Sequence, residues 1–356
     1  RALMGLGSLG HRLYSGESSI NFVGRRKMWY LISAVILIVA IAALLVRGLN
    51  LGIEFRGGAE FRLPSPTCSV EQARSTASEV VGGEAIVTQT GAGDIRVQVP
   101  PIDPKTSDQV VQALSAECGV APGDIQSQLV GPTWGSEIAN KALIALVVFL
   151  LLVAIFLAIY FEWRMALAAI VALIHDIVIT VGIYALTGLE VTPATIIGFL
   201  TILGYSLYDT VVVFDKVKEN TKGITGQSVM TYSEAANLAV NQTLVRSINT
   251  SIVALLPVVA IIVVGAGLLG AGTLLDLAVA LLVGMVAGTY SSLTIATVFL
   301  AQLKETQPEM KALAQRVRGR RAAGRSKEGE EGVALADSGG RVQPKKQVRS
   351  KRPKRG

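Results

Sequence analysis

Asp209 sits in the run Gly204-Tyr205-Ser206-Leu207-Tyr208-Asp209-Thr210-Val211-Val212-Val213-Phe214-Asp215, a carboxylate embedded in apolar sequence. The segment from Thr192 to Phe214 is long enough to cross a hydrocarbon core of about 30 Å, which places Asp209 inside a bilayer. Insertion scales charge about 2.5–3.5 kcal/mol for an ionisable group at the centre of a spanning helix, so its default reading is functional. Helical spacing puts Gly198, Thr201, Tyr205, Tyr208 and Asp209 on one polar face, directed at a bundle interior or a wet cavity. Two other spans carry similar groups. Asp176 lies beside His175 with Thr180 one turn further on, and Arg246 shares a stripe with Gln242, Asn249 and Thr250. Asp276, at the start of the last span, reads as a helix-start residue.

The chemistry open to this set is proton handling. An apolar setting favours a neutral carboxylate and a nearby guanidinium favours an ionised one, so moving Arg246 relative to Asp209 would drive proton uptake and release. A membrane potential adds about 2.3 kcal/mol per 100 mV for each charge carried across. Asp209, Arg246 and Asp176 are thus the candidate proton pathway, with Tyr205, Tyr208, Thr180, Asn249 and Thr250 as supporting polar groups. His175 is a relay member or a hydrogen-bonded packing residue, and the alternative for both aspartates is a structural carboxylate gluing helices together. Catalytic and metal constellations are not visible. There is no phosphate-binding glycine loop with its lysine and no hydrolase signature, so the chain reads as a non-enzyme driven by an ion gradient or by a partner, with no cofactor beyond the coupling ion.

The elements that must position these residues are membrane spans. Of 356 residues, 51% are apolar and 17% charged, the balance of a polytopic membrane protein. Residues 1–27 form a basic lead-in and Met28–Val46 a first span, read as an uncleaved anchor. Five further spans follow at residues 142–161, 165–186, 192–214, 248–264 and 274–300, with a soluble, partly helical loop over 215–247. Gly284-x-x-x-Gly288, followed by Ser291 and Ser292, marks a close packing face on the sixth. The only large hydrophilic insertion, 50–141, alternates strand, helix, strand, strand, helix, strand: Ala59–Leu63, Val70–Val81, Ala85–Thr90, Ile95–Val99, Ser107–Cys118 and Ile125–Val130. Gly91-Ala92-Gly93-Asp94 joins the middle strands. That order predicts a small α+β domain of the ferredoxin-like βαββαβ type, a binding module rather than a catalytic one. Cys68 and Cys118 both lie in it, free or paired according to the compartment it faces.

Net charge is +7, and from Ala301 onward there are 16 Lys or Arg against 6 Asp or Glu. Residues 301–356 therefore read as a basic, disordered tail able to touch anionic lipid. Arg25 to Lys27, Arg164, Lys216, Lys218, Lys222 and the tail all fall on one side of a six-span count, so both termini are expected in the cytoplasm and the domain outside.

Four segments resemble the SecF subunits of the bacterial protein-export machinery, within the wider resistance-nodulation-division superfamily. They are Gly48-Leu49-Asn50-Leu51-Gly52-Ile53-Glu54-Phe55-Arg56-Gly57-Gly58, Ala172-Leu173-Ile174-His175-Asp176, Gly204 through Asn220, and Asn241-Gln242-Thr243-Leu244-Val245-Arg246-Ser247-Ile248-Asn249-Thr250-Ser251. Tyr208, Glu54 and Arg56 depart from the residues frequent in that family. The resemblance implies a bacterial plasma-membrane protein paired with a SecD-like six-helix subunit. It also implies association with the SecY/SecE/SecG channel and SecA, and use of the proton motive force to help preproteins leave the channel. Asp209 and Arg246 are then its proton-pathway residues. Two other readings stay open: a passive scaffold of the translocon, or half of a small-molecule or lipid exporter of the same superfamily. The coupling ion is H⁺ or Na⁺.

Overall fold

The computed structural model describes residues 19–89, 93–266 and 272–337, together with Arg12 and Ser15. The start of the lead-in, Gly91 and Ala92 of the connection between the middle strands, the middle of the loop before the sixth span and the tail beyond residue 337 lie outside the described residues.

Among the described residues six helices are long and apolar enough to cross a membrane. They are α1 (Arg26–Arg47), α5 (Pro132–Tyr160), α6 (Trp163–Thr187), α7 (Pro193–Asn220), α8 (Tyr232–Ile261) and a sixth made of α9 (Gly272–Ser291) and α10 (Thr297–Glu305). A single π-helical turn, Ser292–Ala296, joins α9 to α10. α6 and the sixth span are the most enclosed, whereas α1, α5 and α8 leave most of their apolar surface uncovered by the rest of the chain. Local chemistry sets the ends. Thr192 caps α7 in a reciprocal box with Thr195 and Pro193 takes the first helical position, Thr231 and Glu234 form the same kind of box at α8, and left-handed Gly188 closes α6.

Several boundaries differ from the sequence reading. α5 begins ten residues before Ala142, running without a break from the domain into the membrane. The expected 215–247 loop shrinks to the stretch between α7 and α8, because the Thr231 cap starts α8 early and its polar residues find protein partners. Asn237 and Asn241, for instance, hold the main chain of residues 20–23: Asn241 Oδ1 accepts from Ile20 N at 2.7 Å and Asn237 Oδ1 from Phe22 N at 2.8 Å. The tail expected to be disordered from residue 301 is instead helical through α10 and α11 (Pro308–Asp337). Leu313 and Val317 bury against Ile224 and Ala235, and Arg321 pairs with Glu234, contacts that composition alone does not reveal.

The extramembrane part follows β1 (Asn50–Leu51) and a short α2 (Ile53–Arg56). It comprises β2 (Gly58–Leu63), α3 (Val70–Val81), β3 (Ile86–Gln89), β4 (Ile95–Val99), α4 (Pro104–Cys118) and β5 (Gln126–Val130). The sheet order is β3-β4-β2-β5 with every neighbour antiparallel, the ferredoxin-like arrangement the element order predicts. Alternation makes the core: Ala59, Phe61 and Leu63 of β2 and Ile95, Val97 and Val99 of β4 face Ala73, Ala77, Val110 and Leu114 of the helices. Cys68 and Cys118 form a disulfide that ties the start of α3 to the end of α4. The opposite, helix-free face carries Glu60, Arg62, Arg96 and Gln98. Gly57 and Gly58 take φ of 76° and 146°, and a Cβ on Gly58 would stand 2.6 Å from the Val99 carbonyl oxygen. Side-chain-free residues are therefore required where the chain turns from α2 into β2 against β4.

A second, two-stranded sheet was not legible from the sequence. β1 pairs in parallel with β6 (Glu190–Val191), the connection between α6 and α7, so the domain is stitched to the membrane helices at its entry.

Candidate functional site

α7 has two polar stripes rather than one. Gly198, Ser206 and Asp209 turn inward with Ile202 and Val213, whereas Thr201, Gly204 and Tyr208 are exposed one stripe over. The single polar face expected from spacing is thus split between bundle interior and outer surface. Asp209 is buried and accepts two hydrogen bonds, from Ser247 Oγ of α8 at 2.6 Å and from Ser292 Oγ at 2.5 Å. Ser292 opens the π-helical turn of the sixth span, and such turns recur at functional sites because they re-aim one residue without ending the helix.

Asp176 of α6 is fully buried and accepts from Ser206 Oγ at 2.6 Å. Ser206 lies one turn before Asp209, so the inner stripe of α7 serves both carboxylates. Beyond Asp176 the polar chain continues: His175 Nδ1 is 3.4 Å from Asp176 Oδ1, His175 Nε2 is 3.2 Å from Ser33 Oγ of α1, and Ser33 Oγ is 3.0 Å from Tyr290 Oη of α9. Close helix approach makes this possible. A Cβ on Gly288 would stand 2.8 Å from the Cβ of Ser206, and one on Gly284 would run into Ile202.

Arg246 is not brought to Asp209. Among the described residues its guanidinium is exposed and Nη2 donates to Tyr208 Oη at 3.3 Å. It lines an open cleft of about 590 Å³ with Tyr208, Asp215 and Gln242. Ser247, the next residue on α8, makes the contact to the carboxylate instead. Of the supporting groups, Tyr205 Oη donates to Ser251 Oγ at 3.4 Å, and Ser251 Oγ lies 2.7 Å from Thr289 Oγ1, which extends the hydroxyl cluster toward the sixth span. Thr180 and Thr250 spend their hydroxyls on the carbonyls of Asp176 and Arg246, and Asn249 is exposed. Sequence reasoning missed Ser33, Ser206, Ser247, Ser292 and Tyr290. Ser292 had a signal in the small-residue stripe and Ser247 in its adjacency to Arg246; Ser33 had none.

Chemically, the site is a pair of buried carboxylates held by neutral hydroxyls. A serine hydroxyl donates one hydrogen bond and accepts others, so such a cage can accommodate a carboxylate or a carboxylic acid by rotation. No group of three or more His, Cys, Asp or Glu residues able to hold a metal occurs among the described residues.

Residues 110–306 match the family described as protein export membrane protein SecD/SecF, C-terminal, and residues 42–65 match the SecD/SecF GG motif, which contains Gly57 and Gly58. The chain is 56% identical to the protein translocase subunit SecF of Streptomyces coelicolor over 335 residues, covering 94% of this chain and 90% of that one. It is 44% identical to the SecF subunit of Mycobacterium tuberculosis over 332 residues, covering 89% of this chain and 75% of the relative. The crystal structure of SecDF from Thermus thermophilus, described as a translocon-associated membrane protein, superposes with a TM-score of 0.72 at 32% identity. That match covers 81% of this chain and 39% of the SecDF chain, so the protein spans about two fifths of that longer relative. A buried carboxylate pair in a six-span bundle, a GG turn into a small extramembrane domain and these similarities converge: the chain belongs to the SecD/SecF family as a SecF-type subunit, a multi-pass membrane accessory of Sec protein export and not an enzyme.

Proposed function

We propose that the protein couples the proton motive force to late translocation of preproteins through the Sec channel, acting with a SecD-like partner. The observation that carries this reading is Asp209, a buried intramembrane carboxylate held, among the described residues, by the hydroxyls of Ser247 and Ser292, with an exposed guanidinium on Arg246, the residue before Ser247 on α8. Protonation changes are available there without loss of the cage, and a scaffold has little use for such a group. Asp176, Ser206 and His175 extend the path; Arg246 and Tyr208 stand at its other side.

The SecD-like partner covers the outer stripes of α7 and α8. Thr201, Tyr208, Arg246 and Asn249 are exposed on helices of bilayer length, and polar side chains of this kind belong against protein or water, not lipid. The fused SecDF of Thermus thermophilus supports such a pairing. The SecY/SecE/SecG channel, SecA and the translocating preprotein complete the assembly, with anionic lipid against the basic C-terminal segment. Both termini lie in the cytoplasm of a bacterium and the 50–141 domain outside, supported by the basic residues at Arg25–Lys27, Arg164 and Lys216–Lys222 and by the Cys68–Cys118 disulfide, which persists in oxidising compartments.

The test is export of a preprotein into inverted membrane vesicles, with and without a proton gradient, for the parent, Asp209→Asn and Arg246→Met co-assembled with the partner. Normal assembly with loss of the gradient-dependent increment is expected for both variants. Undiminished stimulation in both would sink the coupling role and leave a scaffold. Replacing the proton gradient by a sodium gradient in the same vesicles identifies the ion.

A further inference from the structure

We propose that Glu190 and Arg96 form a joint through which the extramembrane domain and the N-terminal end of α7 move as one body, which makes them positioning residues for the Asp209 site. The proposal rests on the proton-coupled export reading.

Glu190 belongs to β6, between α6 and α7, and Arg96 to β4 of the domain sheet. Arg96 Nη1 lies 2.5 Å from Glu190 Oε2, and its Nη2 lies 2.5 Å from Glu60 Oε2 on β2. Gln98 Nε2 donates to Glu190 Oε1 at 2.9 Å and to Glu60 Oε2 at 3.2 Å, and Arg62 Nε donates to Glu60 Oε1 at 2.9 Å. The helix-free face of the sheet is thus fixed to the α6–α7 connection by one side chain, Glu190, whose two carboxylate oxygens both accept from β4. The side chains of Arg96 and Glu190 are 18% and 12% exposed, so solvent screens the pair little. Beside it the β1–β6 pairing and the bond from Gly52 N to the Val191 carbonyl at 2.9 Å make a second connection of main chain alone.

From Glu190 the path to the carboxylate site is short and stiff. Thr195 Oγ1 donates to the Glu190 carbonyl at 3.5 Å, and Thr192 Oγ1 accepts from Thr195 N at 3.3 Å, capping α7. α7 is a single helix from Pro193 to Asn220. At 1.5 Å per residue, Asp209 lies about 24 Å along it, so displacement of the capped end is carried to the carboxylate by a rod.

Arg96 and its sheet partner Glu60 are built to stay charged. Burial pushes Glu60 up, but the hydrogen bonds and charge of Arg96, with Arg62 and Gln98, outweigh it and hold Glu60 below the usual glutamate range. Burial works against the Arg96 charge, and Glu60 and Glu190 overcome it and raise Arg96 above its ordinary value. Arg96 and Glu60 both lie in the domain sheet and would hold together without Glu190. The Glu190 contacts add nothing to the domain's own core; they only connect it to α7.

Glu190→Ala isolates the joint, because the Arg96–Glu60 pair remains. Glu190→Ala leaves the β1–β6 pairing in place, so the gradient-dependent export increment is expected to fall about fivefold, the low end of the 5- to 150-fold range typical of coupling between sites. Gradient-independent export and copurification with the partner stay at parental levels. The second variant carries Gln98→Cys with Glu190→Cys, uncoupled in the same way until a short bismaleimide bridges the two thiols. Both native cysteines are in the disulfide, so the parent does not react. Recovery of the increment on bridging supports a mechanical joint. A full increment in Glu190→Ala, or a complete bridge that restores nothing, overturns it. Absence of an increment in the parent overturns the proton-coupled reading instead, so the two failures are distinct.

Discussion

Gly284→Ala tests whether the sixth span approaches α7 as closely as the carboxylate site requires. An added Cβ would lie 2.6 Å from Ile202 Cγ2 and 3.0 Å from Ile202 Cβ. Ile202 is 2% exposed and β-branched, so it has no free rotamer to move into. Overpacking of this kind costs about 1–3 kcal/mol. Replacing a helical glycine by alanine contributes about 1 kcal/mol in the other direction, which leaves a net loss of up to about 2 kcal/mol. In an Ile202→Ala background the contacts to the side chain beyond Cβ are gone and a 3.0 Å approach to the remaining Cβ is left, so Gly284→Ala becomes neutral to stabilising by up to about 1 kcal/mol. The coupling energy of the cycle equals the strain relieved, about 1–3 kcal/mol. Reversible unfolding in mixed micelles, followed by far-ultraviolet circular dichroism on all four proteins, measures it. Effects of the same sign that add to within about 0.5 kcal/mol would refute the close approach, and with it the packing that presents Ser206 to Asp176.

The remaining predictions concern the two ends of the molecule. Glu60 sits below its ordinary value in the folded protein, so its stabilising share is complete above about pH 4.3, where the unfolded carboxylate is ionised, and is lost as pH falls through the folded value. Amide protection in β2 and β4, taken relative to the intrinsic exchange rate at each pH, should therefore fall on acidification from pH 6 to pH 3, and Glu60→Gln should flatten that dependence; an unchanged slope in the variant would contradict the assignment. At the other end, Leu313→Ala should release α11, because removing a fully buried leucine costs about 2–5 kcal/mol, whereas Arg321→Ala breaks a half-exposed pair with Glu234 worth about 0–1 kcal/mol. Limited proteolysis within residues 308–324 should rise sharply for the first and barely for the second.

What the sequence made legible followed from strong periodicities. Six long apolar runs announce six helices, and period-two alternation with turn residues announces the βαββαβ domain, to both ends of β4 and to within one residue at the start of β2. The carboxylates Asp209 and Asp176 were visible because their burial in apolar sequence is anomalous. Hydroxyl partners are a different case. Serine and threonine are common in membrane helices and carry no penalty that singles them out, so Ser33 and Ser206 could be found only from the helix packing that brings them within reach. Helical spacing grouped Tyr208 with Asp209, yet adjacent residues point about 100° apart, and the buried and exposed stripes of α7 divide between them. The two-residue strands β1 and β6 were too short for any pattern to register. Helicity from Pro308 onward was hidden by composition, because among the described residues its fully buried apolar anchors are just Leu313 and Val317.

The division of labour between Arg246 and Ser247 follows from this geometry. On one helix, consecutive residues face different surroundings: Ser247 is buried against Asp209, and Arg246 stands in an open cleft with Tyr208. A guanidinium held against Asp209 would fix the carboxylate in its ionised form, since breaking a buried pair costs several kcal/mol. Two hydroxyls impose no such choice, because they satisfy either protonation state. The charge that discriminates between the states therefore has to act from outside the cage, and rotation of α8 by one residue would exchange Ser247 for Arg246 at the carboxylate. Tyr208, at 3.3 Å from Arg246, holds the guanidinium on the exposed side. Whatever covers that side, in the proposed assembly the SecD-like partner, then sets how readily α8 turns, so the proposed proton cycle would belong to the pair of subunits rather than to this chain alone.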